Sequence, residues 1–453
     1  HRGVGTMFRK VLIANRGEIA VRIIRACREM GIRTAAVYSE ADRDAMHVRL
    51  ADEAVCIGPA SPKDSYLRME QIIGTALALK AEAIHPGFGF LSENAEFARM
   101  CGQYGIQFVG PSPKLIDKMG NKSEAKQTMK AAGIPVVPGT DFPVYEEEEA
   151  LAKAKEIGFP IMIKASAGGG GKGMRLAWEE QEFPAKFREA QQEAENAFAD
   201  HAMYLERYIQ FPRHIEVQIM ADRHGNVIHL GERDCSIQRR HQKMIEESPC
   251  AFITGETRRK LWETALKASH AVGYENAGTL EFLLDQSGEF FFMEMNTRIQ
   301  VEHPVSELVS GVDLIREQLR VAAGLPLSVK QEDIRFRGHA VECRINAEDP
   351  LHNFMPCPGM IKKMHLPGGN GIRMDTAIYP GYQIPPYYDS MIVKVIAYDS
   401  DRDGAVRKMI STLGELEIEG VATNRDFLYD VVNHPDFKSG RFHTGFIEEN
   451  YPM

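Results

Sequence analysis

The stretch Glu281–Glu302 restricts this chain more than any other. Phe290-Phe291-Phe292-Met293 is an unbroken apolar run, the pattern of a strand buried on both faces. Polar residues then recur at every second position: Glu294, Asn296, Arg298, Gln300 and Glu302, with Met295, Ile299 and Val301 between them and Thr297 the exception. If the backbone stays extended, one face carries that row in order. The alternative, the solvent face of an amphipathic strand, is weakened by the adjoining apolar run, so the row reads as facing a site. With Gln286-Ser287 at the tip of a two- or four-residue hairpin, Glu281 lies opposite Phe292. Glu294 is then its diagonal neighbour on the same face, about 7–8 Å away at Cα; a three-residue tip would reverse that parity. Carboxylates at this spacing can share magnesium ions, with the Asn296 amide oxygen beside them. Arg298 suits a small oxyanion, and the closing carboxylate, Glu302, can act as a base.

Upstream, strands alternate with helices. Lys10–Ala14, Thr34–Tyr38, Ala83–His85 and Phe108–Gly110 read as strands or strand ends. Glu18–Met30 reads as a helix with Ile19, Ile23, Cys27 and Met30 on one side. That alternation implies a parallel sheet with helices on its faces. Asn15-Arg16-Gly17 has one glycine, too few for a dinucleotide fingerprint, and reads as a plain strand-to-helix turn. A helix over Asn121–Ala132, a linker marked by Pro135, Pro138 and Gly139, and a smaller lobe over Asp141–Ile209 follow, the acidic run Glu146–Glu149 being a solvated helix start. A strand-rich lobe comes next: His214–Met220 alternates, Asp222–Asn226 turns, and Val227–Leu230 returns. A helix near Val312–Ala323 leads to a tail that begins with the strand His339–Ile345.

Between the strands Ile161–Lys164 and Met174–Trp178 lie four consecutive glycines, Gly168–Gly171, bracketed by Lys164 and Lys172. Without Cβ atoms the backbone N–H groups can approach phosphate oxygens. The formal G-x-G-x-x-G match at Gly168, Gly170 and Gly173 fails because a strand follows, not a helix. The P-loop pattern fails at Ser166 and Gly173. What remains is a glycine-rich hairpin that covers phosphates. Gln238-Arg239-Arg240-His241-Gln242-Lys243 is a candidate anion clamp beside it.

Composition narrows the function classes. With 63 acidic against 54 basic residues the net charge is −9, which argues against a general nucleic-acid binder. No apolar run approaches the ~20 residues of a membrane span. The seven cysteines (Cys27, Cys56, Cys101, Cys235, Cys250, Cys343 and Cys357) form no C-x-x-C pair, which fits a reducing cytoplasm and buried free thiols. Residues 1–6 precede Met7 and read as a tag remnant.

Together these pieces resemble the ATP-grasp superfamily and, within it, the biotin carboxylases. The match rests on Ile13–Ala20, His85–Asn94, Lys164–Met174, Gln238–Lys243, Glu294–Pro304, Glu342–Asp349 and Pro385–Met391. It implies an α/β chain with an ATP-grasp fold: a doubly wound parallel-sheet lobe over 7–120, an ATP-grasp region over 121–323 with a small mobile lid at 141–209, and an α+β lobe over 337–453. It implies ATP-phosphate contacts at Lys122, Lys164, Gly170 and Gly171. An adenine hinge is implied at Glu206, Arg207, Tyr208 and Ile209, with His214, Gln238 and His241 nearby. The implied Mg²⁺ (or Mn²⁺) ligands are Glu281, Glu294 and Asn296. Lys243, Arg298, Gln300 and the backbone of Val301 would hold bicarbonate, Glu302 would deprotonate it, and Arg344 would stabilise enolised biotin. The implied reaction passes through carboxyphosphate to carboxybiotin, ADP and phosphate. No Met-Lys-Met is present, so biotin is expected on a separate biotin carboxyl carrier protein. The expected setting is a cytoplasmic homodimer working with a carboxyltransferase, as in acetyl-CoA carboxylase and fatty acid synthesis. A piece of a pyruvate carboxylase and a carbamoyl-phosphate synthetase-like ligase are the alternatives. The family often has glycine at Ala167 and tyrosine at Phe88; the second exchange removes one hydroxyl.

Overall fold

The computed structural model describes residues 6–166 and 173–452. The chain divides into two compact units: 1–121, 213–281 and 294–453 form the first, 122–212 and 282–293 the second.

The first unit opens with five parallel strands, β1 (Lys10–Ile13), β2 (Arg33–Ser39), β3 (Glu53–Gly58), β4 (Ala83–His85) and β5 (Gln107–Phe108), in the order β3-β2-β1-β4-β5. The period-2 side-chain rule is visible in β1. Val11 and Ile13 enter one core with Ile19, Ile23 and Cys27 of helix α1 (Gly17–Glu29). Leu12 enters the opposite core with Ile72, Ile73 and Phe97. The sheet is therefore covered on both faces. The turn between β1 and α1 is more than a connector: the Asn15 amide donates to the carbonyls of Pro86 and Phe88, both at 2.7 Å. Gly87 (φ +63°) has to be glycine, since a Cβ there would lie 2.9 Å from that amide nitrogen.

The second unit holds the three-stranded sheet β7-β6-β8, from β6 (Ile161–Ala165), β7 (Met174–Ala177) and β8 (Met203–Arg207). β6 and β7 pair antiparallel with Lys164 opposite Met174, the hairpin expected around the glycine run. The acidic run starts the helix Glu147–Ile157, where carboxylates favour the N-terminal end of the dipole.

The strands β9 (Arg213–Ala221), β10 (Val227–Arg239), β11 (Gln242–Ser248), β12 (Asn276–Leu284), β13 (Phe290–Asn296) and β14 (His339–Asn346) form an eight-stranded sheet with Met391–Asp399 and Ile372–Thr376, in the order β13-β12-β9-β10-β11-β14-(Met391–Asp399)-(Ile372–Thr376), and among the described residues six short strands make three further two-stranded pairs. β10 is far longer than Val227–Leu230. It runs to a two-residue turn at Arg240 and His241, both at positive φ (49° and 64°), as a tight hairpin of this hand requires. The polar positions of β9 do not face solvent: Glu216 and Gln218 are fully buried.

Two geometric expectations are corrected. The β12–β13 hairpin has a three-residue tip: the Asp285 N–H donates to Glu289 O at 2.8 Å, and Gly288 N–H to Asp285 O at 3.2 Å. The parity derivation for Glu281 and Glu294 therefore fails, although both line one cavity. The chain also leaves the extended state after Asn296, turning into the helix His303–Ser310 with Glu302 as its N-cap residue.

Candidate active site

A cavity of about 770 Å³ in the first unit is lined by Lys243, Glu281, Glu294, Asn296, Arg298 and Arg344, with His214, His241, Gln300 and Val301 also on its wall. Behind that wall runs a chain of alternating charges. Arg233 Nε donates to Glu216 Oε1 at 2.7 Å. Lys243 Nζ donates to Glu216 Oε2 (3.0 Å), Glu281 Oε1 (2.7 Å) and Glu302 Oε1 (2.9 Å). Arg344 Nη2 donates to Glu302 Oε2 at 2.8 Å and its Nε to Glu246 Oε1 at 2.5 Å. An ammonium has three protons to donate, and Lys243 uses all of them. Alternation is what allows so many charges to be buried, since each ion finds opposite charge on both sides.

The electrostatics follow. Burial works against the charge on Lys243, but Glu216, Glu302 and Glu281 outweigh it and hold the ammonium well above its usual range. Burial likewise works to raise Glu216, yet Lys243 and Arg233 bring it down to about 2. Glu281 is held well below the usual carboxylate range, burial being overcome by Lys243 and by hydrogen bonds to His214 and Glu294.

Glu281, Glu294 and Asn296 supply two carboxylates and an amide oxygen to one wall, a donor set that suits a hard divalent cation and would not retain a soft one. Arg298 is oriented by Glu93 Oε1 (Nε, 2.9 Å) and Gln300 Oε1 (Nη1, 2.7 Å). Glu93 also accepts from the Thr297 N–H at 3.2 Å, which fixes the turn after Asn296. The fully buried Lys394 donates to the Val301 carbonyl at 2.8 Å and pairs with Glu18 at 3.2 Å. Gln238 is buried, its amide reaching Cys235 O at 3.1 Å and His214 Nδ1 at 3.4 Å. His214 Nε2 is 3.3 Å from Glu281. His241 sits in the tight turn on the cavity wall. Asn15-Arg16-Gly17, read from sequence as a plain turn, also lines the cavity.

In the second unit, Lys164 on β6 pairs with Glu206 on β8 at 2.5 Å. Lys122 opens the helix Lys122–Ala131. Arg207 donates to the Ile157 carbonyl (2.5 and 3.1 Å), Tyr208 lies edge-on to Trp178, and Ile209 is buried. Gly170, Gly171, Lys172 and Ala167 lie outside the described residues.

Sequence reasoning assigned no part to Glu216, Arg233, Glu246 or Lys394, and none to Glu93 or Glu342 although both lie in segments that carry the resemblance. The available signal was charge inside long strands. Only Lys394 sits in an otherwise apolar run, where a charge implies a partner; Glu216, Arg233, Glu246 and Glu342 lie in strands with several polar residues, which do not single them out.

Comparison with known proteins bears on the whole chain. Residues 7–116 match the family described as biotin carboxylase, N-terminal domain, residues 121–330 the carbamoyl-phosphate synthase L chain, ATP binding domain, and residues 342–449 the biotin carboxylase C-terminal domain. Biotin carboxylase 1 of Bacillus subtilis (strain 168) is 56% identical over 443 residues, covering 98% of each chain. A pyruvate carboxylase subunit of Methanothermobacter thermautotrophicus is 52% identical, covering 98% of this chain and 90% of that protein. A crystal structure of the biotin carboxylase domain dimer of Hydrogenobacter thermophilus 2-oxoglutarate carboxylase, in complex with MgADP, ADP and bicarbonate, matches with a TM-score of 0.89 at 51% identity, covering 98% of each chain.

Proposed function

Since the chain belongs to the biotin carboxylase family of ATP-grasp ligases, we propose that its own residues divide the ATP-dependent carboxylation of biotin with bicarbonate as follows. Lys122, Lys164, Gly170 and Gly171 contact the ATP phosphates, and Glu206–Ile209, with His214, Gln238 and His241, serve the adenine end. Glu281, Glu294 and Asn296 would hold Mg²⁺ or Mn²⁺, which when bound offsets the repulsion between triphosphate and bicarbonate. Arg298 and Gln300, already bonded to each other, orient bicarbonate together with Lys243 and the Val301 backbone. Lys394 occupies the Val301 carbonyl and so fixes that peptide.

Glu302 takes the bicarbonate proton, and the resulting nucleophile attacks the γ-phosphorus to give carboxyphosphate. Protonation also removes the charge that holds Arg344 at 2.8 Å. The guanidinium is then free to meet the oxygen that becomes negative as the ureido group of biotin enolises. Positioning and fixed charge carry such phosphoryl transfers. The observation that carries this reading is Glu302 itself: a fully buried carboxylate shared by Lys243 and Arg344 at the end of an arginine-bearing turn.

The same reading divides the chain into lobes at 7–120, 121–323 with a lid at 141–209, and 337–453, and makes it a cytoplasmic homodimer served by a biotin carboxyl carrier protein. Its seven free cysteines suit a reducing compartment. For the final acceptor, the acetyl-CoA carboxylase setting is carried from the sequence resemblance, and the pyruvate carboxylase alternative draws support from the 52% identity to the Methanothermobacter protein. ADP release measured with Mg²⁺, bicarbonate and free biotin tests the assignment. Release should depend on both substrates and collapse in Arg344→Ala and Glu302→Ala; turnover indifferent to biotin and bicarbonate would reject it.

A further inference from the structure

Beyond Arg344 the alternating chain ends in two acids with no cation between them. Glu246 on β11 and Glu342 on β14 are direct partners across the antiparallel pair, and neither has any exposed surface. Glu246 Oε1 receives Arg344 Nε. Glu246 Oε2 and both oxygens of Glu342 meet no donor among the described residues. Each carboxyl can satisfy the other only if one of them carries a proton. Two carboxylates this close in a dry site cannot both ionise, because like charges there repel strongly.

The surroundings agree on which one is neutral. Burial and the charge on Glu246 push the Glu342 acid well above the usual carboxylate range, against the pull of Lys394 and Arg344. On its far side Glu342 faces Ile396, with Lys394 the cation on that strand. The helix His303–Ser310 brings Val305 and Val309 over Ala340 and Ile396. The helix Arg402–Glu415 packs through Ala405, Val406 and Met409 in the core that contains Cys343. The charged neighbours of Glu342 are thus Glu246, Arg344 and Lys394; Lys243 and Glu302 act on Glu246, and the helix His303–Ser310 also carries the buried His303 and Glu307.

We propose that Glu246 and Glu342 form an acid pair that holds one proton between them and positions Arg344. The proposal rests on Arg344 being the residue that meets biotin. With one proton the pair carries a single negative charge, equal to that of Glu302 on the other side of the guanidinium. Arg344 then sits between matched anchors. It can release Glu302 when that carboxyl takes a proton, while Glu246 keeps it in place. A doubly ionised pair would draw Arg344 back from the cavity. Glu342 does not line the cavity and acts only through Arg344, so it is a positioning residue.

The test is the pH profile of biotin-dependent ADP release in the wild-type chain, Glu342→Gln, Glu342→Leu and Glu246→Gln, with Arg344→Ala alongside. Glutamine is neutral and can donate to Glu246. Glu342→Gln should therefore recover most of the turnover that Glu342→Leu loses, about tenfold in kcat with little change in the KM for ATP. Its alkaline limb should move outward by at least about one pH unit, because the ionising proton is gone. Glu246→Gln should lose about 10²-fold in kcat, as for a misplaced catalytic group, and should lose the same ionisation. An alkaline limb unchanged in Glu342→Gln, with leucine as good as glutamine, would leave only a packing role and overturn the proposal. If Glu342→Gln does not fold, the alkaline limb of Glu246→Gln decides in the same way. Biotin-dependent turnover that survives Arg344→Ala would instead reject the role of Arg344, whatever Glu342 does.

Discussion

Replacing Arg233 by methionine keeps much of the side chain's volume and removes one buried charge. In the native chain Arg233 is fully buried and donates to Glu216 (2.7 Å), Gln218 (2.7 Å), Ser306 (2.9 Å) and Thr279 (3.2 Å). Breaking a buried pair by deleting one partner costs about 3–5 kcal/mol. Two features hold the figure inside that range: Glu216 keeps Lys243 at 3.0 Å, and the two hydroxyls can rotate to other acceptors. Unfolding entropy of about 2.1 cal/mol/K per residue gives a 453-residue chain about 1 kcal/mol/K, so a loss of about 4 kcal/mol should lower Tm by about 4 °C. The pH dependence has a definite sign. The Glu216 carboxyl, held down to about 2 by Lys243 and Arg233 against the opposing effect of burial, contributes stability that is present above its unfolded value of 4.5 and lost as pH falls through about 2. Without Arg233 its folded value rises. The gap between variant and wild type should then be widest near neutral pH and narrow on acidification. Thermal melts from pH 7.5 to about 3, with Glu216→Gln and the double variant completing a cycle, would show this, the narrowing setting in below the unfolded value of 4.5. A loss below about 1 kcal/mol, or one that does not change with pH, would refute the alternating-charge argument.

Arg298→Lys keeps the charge but loses the planar fork that Glu93 and Gln300 orient, so the KM for bicarbonate should rise about tenfold or more in steady-state assays. Glu294→Gln would remove one of the proposed hard ligands, so the Mg²⁺ concentration giving half-maximal rate should rise while the Tm without metal changes little. Acid should destabilise the fold in two stages: His47 and His85, buried as neutral rings, are brought down to about 4 and cost stability below pH 6.5. Glu247, where His339 and Arg402 overcome burial, and Asp375, where Arg373 and Lys394 do, are both at about 2 and add a steeper loss below about pH 4.5; melts across pH 7.5 to 4 should show the first stage and its onset into the second.

The sequence was most legible where periodicity and burial agree. The helix of Ile19, Ile23 and Cys27 could be placed from pattern alone because it has one apolar face. The hairpin that carries Glu281 and Glu294 was less legible. Whether Asp285-Gln286-Ser287-Gly288-Glu289 closes with two, three or four residues depends on Gly288 taking positive φ (92°), which composition does not decide. Nor does an alternating row say where a strand ends: Arg298 and Glu302 share the cavity region through a turn tied down by Glu93, about two hundred residues away in sequence. Partners such as Arg233 for Glu216 and Glu342 for Glu246 are neighbours only through sheet register, which is a property of the assembled fold.

The central claim is that bicarbonate itself attacks ATP after losing its proton to Glu302. Turnover with ¹⁸O-labelled bicarbonate, under conditions where exchange with water is slow, tests it directly. If carboxyphosphate forms, one bicarbonate oxygen bonds to phosphorus and stays there when the intermediate breaks down. Label should therefore appear in the inorganic phosphate, in step with biotin-dependent ADP release, and the rate of labelled phosphate formation should collapse in Glu302→Ala. Phosphate that carries no label while ADP and carboxybiotin accumulate would contradict the account.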